Sequence, residues 1–235
     1  MIFHGDAPML LKSYRMALTL FTCAFCLALK LNATSPNDFL PCIEQADKQT
    51  ARSQELKELV DADQTERVDF EFKTEEERAT LFNNDLVRRK RVGEILGEGC
   101  FKTAEDYAAA SLIYQHGDSS DHYFQAFIWA LRAVQLGYTQ QKPLVAMTID
   151  RYLISLGKKQ LFGSQAYASD LTGWCYCLEK VELSFPDSFR KEYSGHSLEE
   201  RYAWLTSINQ GKACSDIECP VPRKPSPRGT VPGFW

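Results

Sequence analysis

The feature that most constrains how this chain can fold is a series of helix-start and helix-stop signals between residues 74 and 157. Thr74-x-x-Glu77 has the form of a capping box, in which the two side chains bind each other's free backbone N–H groups. Short connections between the resulting helices predict that neighbours pack antiparallel. The other start signals are Thr103-x-x-Asp106, Ser119 or Ser120, and Pro143, and the stop signals are Gly97 with Gly99, Gly117, Gly137 and Gly157.

Small residues follow one face of the third predicted helix. They are Ala126, Ala130, Ala133 and Gly137, at a spacing that lets another helix approach closely. This pattern resembles Sel1-like and tetratricopeptide-like helix pairs, although one such unit is visible and arrays need about three or more. The predicted fold class is mainly α: antiparallel helical hairpins in a repeat-like bundle, with a small irregular or β-hairpin insertion near residues 171–184.

The beginning of the chain has the features of a secretory signal peptide. Lys12 and Arg15 precede an apolar run over residues 16–29, and the small residue Ala33 follows it. As a helix, this run would span about 21 Å, which is too short for a permanent membrane anchor. We therefore expect a signal peptide over residues 1–33, a periplasmic or secreted protein, and no stable membrane insertion after cleavage.

Three further parts follow the predicted signal peptide. Residues 34–73 form an acidic N-terminal segment, predicted to contain a solvated helix that docks through Leu56, Leu59 and Val60. Residues 74–211 form the predicted helical core domain. Residues 212–235 form a Pro-rich tail, for which an extended conformation is expected.

Cleavage would leave six of the eight cysteines, at positions 42, 100, 175, 177, 214 and 219. An even number in an exported chain favours disulfide bonds. Cys214 and Cys219 could close a small loop, whereas Cys175 and Cys177 on a strand would share one face. The sequence does not choose among the pairings, and a redox or metal pair at Cys175 and Cys177 is the alternative interpretation.

Composition and missing motifs exclude several functional classes. A net charge of -4 is too acidic for a general phosphate-binding surface, so nucleic acid is not expected as a partner. Neither a Walker loop nor Gly-x-Gly-x-x-Gly occurs, and the histidines lack the spacing of a zinc site, so no cofactor or metal is expected. The basic run at residues 88–91 is interpreted as a solvated, salt-bridged helix face.

Polar residues on otherwise apolar helix faces are the candidates for chemistry. His116 ends the second predicted helix, where the helix dipole favours the charged imidazole and burial opposes it. Asp150 and Arg151 lie on the largely apolar fourth helix, and Asp85 interrupts the apolar face of the first. A carboxylate buried without a partner costs several kcal/mol, so Asp150 is expected to have one.

Four sequence features occur in an order that resembles a known family. They are Gln115-His116, the segment 126–137, Asp150-Arg151, and Gln160-Leu161-Phe162-Gly163-Ser164-Gln165. The order is similar to the core of the uncharacterised domain-of-unknown-function family 6624, over roughly residues 80–210. The resemblance implies a helical domain and names no reaction. It also implies that Gln115, His116, Asp150, Arg151, Gln160 and Gln165 lie in one spatial cluster.

Two interpretations of this cluster stay open. In the structural interpretation, its side chains join adjacent helices and fix the glycine turn by bonding to backbone groups. In the functional interpretation, His116 is a general base that Asp150 orients. The predicted function is an exported binding or interaction module for a protein or a small molecule, and the alternative is a small hydrolase-like enzyme with a His116/Asp150 dyad. The candidate ligand-binding residues are Gln115, Arg151, Gln160, Ser164 and Gln165.

Overall fold

The computed structural model describes residues 41–68, 73–168, 172–212, 214 and 218–219. The predicted signal peptide and residues 220–235 of the predicted tail lie outside the described residues. None of the described helices has the length and apolar character needed to cross a lipid bilayer. The mainly α fold class is confirmed by helices α1 (Ala46–Glu66), α2 (Glu75–Gly97), α3 (Ala104–Tyr114), α4 (Ser120–Gln135), α5 (Lys142–Ser155), α6 (Asp187–Ser194) and α7 (Leu198–Ile208).

The predicted start signals form the caps that the sequence specifies. Thr74 Oγ1 accepts a hydrogen bond from the Glu77 N–H, and the Glu77 carboxylate accepts one from the Thr74 N–H, so the capping box is complete. A good N-cap stabilises a helix by about 1 kcal/mol and acts through neighbours in sequence, which makes it predictable. The predicted Thr103 with Asp106 caps α3 and the predicted Ser119 caps α4, and Pro143 lies in the first turn of α5.

Helix α1 belongs to the main hydrophobic core. Leu56 is fully buried in a cluster with Val92 of α2 and Tyr114 of α3, and Leu59 and Val60 pack against the edge of that cluster. The expected docking edge is therefore present, and the side chains that follow the same face of α1 also point towards α2 and α3.

Helices α3, α4 and α5 pack side by side. The contact between α3 and α4 is the most extensive among the described elements, followed by that between α4 and α5. Ala126, Ala130 and Ala133 are fully buried, as the predicted small-residue stripe requires, and Ser111 of α3 donates a hydrogen bond to the Ala126 carbonyl at 2.7 Å. Gly137 lies beyond the end of α4, so the packed stripe has three residues instead of four.

A small sheet and two helices follow α5. Strand β1 (Ala166–Tyr167) pairs antiparallel with β2 (Cys177–Leu178), with Ala166 opposite Leu178. Strand β2 lies within the predicted insertion, and β1 lies just before it. Helix α6 is an addition to the elements that the sequence predicts; it begins after Pro186 and ends at Gly195. A capping box formed by Ser197 and Glu200 starts α7.

Three disulfide bonds join the six cysteines of the described residues, in the pairs Cys42–Cys100, Cys175–Cys214 and Cys177–Cys219. The small loop considered for Cys214 and Cys219 is not formed, because each of them pairs with a cysteine at or next to β2. The redox or metal interpretation of Cys175 and Cys177 is likewise replaced by two structural bridges. Disulfides persist in oxidising compartments, so this pattern indicates such an environment.

Candidate functional site

Asp150 organises the loop that follows α5. Its carboxylate is 0% exposed. One oxygen accepts hydrogen bonds from the N–H groups of Leu161 at 2.7 Å and Phe162 at 3.1 Å, and the other accepts from the N–H and Oγ of Ser164 at 3.0 and 2.8 Å. Burial raises the pKa of the Asp150 carboxyl, and these hydrogen bonds oppose that rise. The sequence predicts a partner for Asp150, and that partner is the loop at residues 161–164, through its backbone N–H groups and the Ser164 hydroxyl.

Two glutamines complete the loop. Gln160 Nε2 donates to the carbonyl oxygens of Gln165 and Glu179, at 3.0 and 2.7 Å, and Gln160 Oε1 accepts from the Gln165 N–H at 2.9 Å. Gly163 has a φ of 68°, a left-handed conformation that other residues rarely adopt. Arg201 of α7 donates to the Gly163 carbonyl at 2.7 Å. These contacts agree with the structural interpretation of Gln160, whose side chain bonds to backbone groups of the loop.

Arg151 connects this loop to the C-terminal end of α3. Its Nε donates to Gln165 Oε1 at 3.0 Å, and its Nη1 donates to the Gln115 carbonyl. From α2, the buried Arg89 donates to the His116 carbonyl at 2.9 Å. The last carbonyls of a helix lack donors within the helix and carry partial negative charge, so guanidinium groups suit them. Two arginines thus fix the helix end that carries His116.

A tight turn follows His116. A Cβ at Gly117 would lie 2.4 Å from the Cβ of His122, so this turn needs glycine for steric reasons. The Tyr123 hydroxyl donates to the Gly117 carbonyl at 2.7 Å. The turn therefore places Tyr123 of α4 next to His116.

The carboxylate beside His116 is Asp63 of α1, a residue outside the candidates predicted from the sequence. His116 Nδ1 lies 3.2 Å from Asp63 Oδ1 and 3.1 Å from Asp63 Oδ2. The Asp63 side chain is 0% exposed and the His116 side chain 15% exposed. The His116/Asp150 dyad is consequently corrected to an Asp63–His116 pair, because both oxygens of Asp150 are bound to the loop.

Asp63 is one member of a buried ionic network between α1 and α2. Arg67 donates to Asp63 at 2.8 Å and to both oxygens of Asp85, at 2.9 and 2.8 Å. Arg88 bridges Asp85 at 3.2 Å and Glu66 at 2.5 Å. Because each buried carboxylate has a guanidinium partner, the network avoids the large penalty of an unpaired buried charge.

The basic run at residues 88–91 only partly matches its interpretation as a solvated face. Lys90 is exposed, as expected, and the ion pairs of this face are formed by Arg91, with Glu55 and Glu94. Arg88 and Arg89 are instead buried. Four consecutive helical residues point in different directions. Arg88 points towards α1, where it pairs with Glu66, and Arg89 points towards the end of α3, where it donates to the His116 carbonyl.

These elements line a cavity of about 540 Å³ that is open to solvent, which we call the Arg/His cavity. His116 contributes an imidazole whose Nδ1 is bound to Asp63, which leaves Nε2 as the nitrogen available to a ligand. Such a cavity can hold an anion beside two guanidinium groups, or a water molecule beside a base. The described residues that line it are Arg67, Leu81, Phe82, Asp85, His116, Gly117, Tyr123 and Arg151.

The protonation of the Asp63–His116 pair follows from its surroundings. Burial lowers the pKa of the His116 imidazole below its usual 6.5; Asp63 raises it, and the positive charges of Arg67 and Arg151 lower it further. Burial also raises the pKa of Asp63, but its hydrogen bond to His116 and the charge of Arg67 bring that pKa below its usual value. At neutral pH, Asp63 is therefore ionised, and a neutral His116 donates its Nδ1–H to it.

A larger cavity of about 590 Å³ lies between α1 and α3. The buried acid at its wall, Asp106, is already used by the cap of α3. Its carboxylate accepts hydrogen bonds from the N–H groups of Lys102 and Thr103 and from the hydroxyl of Ser53. Since this acid is committed to holding α3 and α1 together, the Arg/His cavity is the stronger candidate for chemistry.

One group of potential metal ligands occurs in the described part of the chain. It consists of Cys42, Glu98 and Cys100, with ligand atoms within 4.8 Å of one another. The two cysteines form a disulfide bond, so they cannot offer thiolates to a metal.

The structure brings most of the predicted site residues together. Asp150, Ser164, Gln165, Arg151 and the Gln115 carbonyl form one continuous series of hydrogen bonds, which Gln160 joins through Gln165. The lining of the cavity, however, includes Arg67 and Tyr123, which are not among the site residues predicted from the sequence. Asp63 carries a signal that could have revealed it, because it lies four residues after Leu59 and seven after Leu56, on the docking edge of α1.

No family model matches the chain, and neither a curated protein nor a solved structure matches it. Function must therefore be argued from the site.

Proposed function

We propose that the protein is a binding module that holds a small organic anion in the Arg/His cavity. The observation that carries this proposal is the charge of the lining. Arg67 and Arg151 contribute two guanidinium groups to the lining, beside the carboxylate of Asp85. Arg67 is paired with both Asp63 and Asp85, so these two acids balance its charge. An entering carboxylate or phosphate group would bind beside the guanidinium of Arg151.

The other groups of the cavity suit a small polar ligand. Arg67 and Arg151 both lower the pKa of the His116 imidazole, whereas the Asp63 carboxylate raises it. The Tyr123 side chain adds a phenol to the same wall. A volume of about 540 Å³ lies within the roughly 300–1,000 Å³ that small-molecule sites occupy.

The loop at residues 160–165, which Asp150 organises, holds Arg151 in position beside the cavity. It fixes Gln165, which accepts a hydrogen bond from Arg151 Nε, while the end of α3 accepts one from Arg151 Nη1. A guanidinium held on two sides loses little conformational entropy when a ligand binds, which favours affinity.

Substitution of Arg151 by glutamine is expected to weaken the binding of an organic anion at least about tenfold. The reason is the loss of a charge-assisted hydrogen bond, worth about 1.5–3 kcal/mol. The measurement is a calorimetric or NMR titration with hexanoate, compared with the neutral isostere hexanamide, which we expect to bind poorly.

Two further variants control this experiment. Arg151→Lys keeps the charge and should retain more affinity than Arg151→Gln, whereas Arg132→Gln, on the exposed face of α4, should change affinity less than about twofold. Circular dichroism establishes that each variant is folded. Equal affinity of the wild type and folded Arg151→Gln for hexanoate would contradict the proposal.

A second candidate function is ester hydrolysis, and the Asp63–His116 pair is the observation that favours it. In this reaction, His116 Nε2 takes a proton from water as the water oxygen attacks the carbonyl carbon. The carbon–oxygen bond to the leaving group then breaks, and the imidazolium returns the proton to the alkoxide. Asp63 holds the Nδ1–H and stabilises the imidazolium.

This second candidate predicts that the protein hydrolyses p-nitrophenyl butanoate and that His116→Gln lowers the rate about 10²–10⁴-fold. The rate should fall as the pH drops through the lowered pKa of His116, because the protonated imidazole cannot act as a base. The matched control is His196→Gln, since His196 is exposed on the turn between α6 and α7. Equal rates for the wild type and His116→Gln would exclude this mechanism.

The proposed site of action is the periplasm or the outside of the cell. Three disulfide bonds and the signal-peptide pattern of residues 1–33 support this location. N-terminal sequencing of the exported protein tests it, with a new terminus near residue 34 as the expected result. We likewise propose membership of the domain-of-unknown-function family 6624, which a solved member with an equivalent buried aspartate and glutamine loop would support.

A further inference from the structure

Three buried polar atoms beside the turn between α3 and α4 have no hydrogen-bond partner in the part of the chain that the structure describes. They are Arg89 Nε, the Tyr114 hydroxyl and His122 Nε2. Arg89 is 2%, Tyr114 0% and His122 3% exposed, so bulk water does not solvate them. Folded proteins leave few buried polar groups unpaired, and such a group often marks an ordered water molecule or an ion.

The side chains that carry these atoms border one small region between α2, α3 and α4. The rings of Tyr114 and His122 pack edge to face, with centroids 5.8 Å apart. The Asp118 carboxylate joins His122 to Arg89, since one oxygen lies 3.0 Å from His122 Nδ1 and the other 3.6 Å from Arg89 Nη2. Burial raises the pKa of Tyr114 and lowers that of His122, and the nearby charge of Arg89 lowers both.

The protonation states of the three groups define which ligand they can bind. His122 is neutral at neutral pH, because its pKa lies below the usual 6.5. Its Nδ1 carries the hydrogen, since the Asp118 carboxylate lies closer to it, at 3.0 Å, than the Asp118 N–H, at 3.4 Å. His122 Nε2 can therefore only accept a hydrogen bond, Arg89 Nε–H can only donate one, and the Tyr114 hydroxyl can do both.

We infer that one structural water molecule binds between Arg89, Tyr114 and His122. It accepts hydrogen bonds from Arg89 Nε–H and the Tyr114 hydroxyl and donates one to His122 Nε2. Three hydrogen bonds are typical of a buried water molecule. A chloride ion suits this site poorly, because it would face the lone pair of Nε2.

This water molecule would connect three helices beside the turn that carries His116. Arg89 also donates to the His116 carbonyl at 2.9 Å, so a water molecule that fixes Arg89 also helps to fix the end of α3. The inference does not depend on which ligand the Arg/His cavity binds.

A high-resolution crystal structure of the protein, from crystals grown in sodium bromide, tests the inference directly. The expected result is a water peak about 2.7–3.2 Å from each of the three atoms, without anomalous signal from bromide. A bromide peak at this position would replace the water site by an anion site. A direct hydrogen bond from the Tyr114 hydroxyl to His122 Nε2, or no density between the three side chains, would refute the inference.

Nuclear Overhauser contacts between water and the ring hydrogens of His122 test the same inference in solution. A bound water molecule should give these cross-peaks in the wild type and in folded Tyr114→Phe, where Arg89 and His122 still hold it. The control is Tyr107→Phe, about 10.5 Å away along the same helix, which should leave them unchanged. Absence of the cross-peaks in the wild type would refute the inference. Their loss in Tyr114→Phe would also refute it, because the signal would then come from the phenol hydrogen.

Discussion

Substitution of Asp150 by alanine is expected to lower the free energy of unfolding by about 4 kcal/mol and the melting temperature by about 10 °C. The carboxylate accepts hydrogen bonds from four donor groups while it is fully buried. Alanine would leave the N–H groups of Leu161, Phe162 and Ser164 without this acceptor, at about 1–3 kcal/mol for each group that water cannot reach.

Urea denaturation followed by circular dichroism measures this loss. Asp61→Ala is the matched control, since Asp61 is exposed on α1 and its removal should change the free energy of unfolding by less than about 0.5 kcal/mol. Asp150→Asn keeps one acceptor oxygen and the side-chain volume. Its loss in the free energy of unfolding should therefore lie between those of Asp150→Ala and Asp61→Ala. A loss below about 1 kcal/mol for Asp150→Ala would show that the loop does not depend on this carboxylate.

Removal of the Cys42–Cys100 bridge, by alanine at both positions, is expected to lower the free energy of unfolding by about 4 kcal/mol. The two cysteines are 58 residues apart, and the crosslink restricts the unfolded chain over that whole loop. It also fastens the segment before α1 to the end of α2, where the Cys42 N–H donates to the Glu98 carbonyl. Because both side chains are fully buried, their loss also removes packing.

Thermal unfolding of the oxidised proteins, with and without the bridge, measures the effect as a difference of about 10 °C in melting temperature. Reduction of both proteins with a strong thiol reagent is the control. The difference should then shrink to the small contribution of side-chain packing, because the wild type has lost its crosslink as well. Equal melting temperatures under oxidising conditions would contradict this prediction.

The helix boundaries were predictable because their signals are local. Thr74 with Glu77 and Thr103 with Asp106 meet within one helical turn, so the residues that form each cap are visible together in the sequence. Helix α6 was not predicted because it lacks a local start signal of this kind. Its N-cap position is occupied by Pro186, whose side chain makes no capping hydrogen bond, and so the sequence offers no start signal there.

Only the part of the candidate site that is formed by residues close together in the sequence was predictable. Asp150 and the glutamine loop lie within fifteen residues of one another, and their order in the sequence already indicates a cluster. The partner of His116 could not be found in this way. Asp63 is 53 residues away, on a helix whose acidic composition suggests exposure, and only the packing of α1 against α2 and α3 brings it to the imidazole.

The disulfides at Cys175 and Cys177 have a practical consequence for any chain that a protease has cut. Both bridges run from the region of β2 to residues beyond α7, so every peptide bond between residues 178 and 213 lies inside two covalent rings. A single nick there leaves both fragments attached to each other. The cleaved molecule would keep its mass on a non-reducing gel and separate into two bands only after treatment with a thiol.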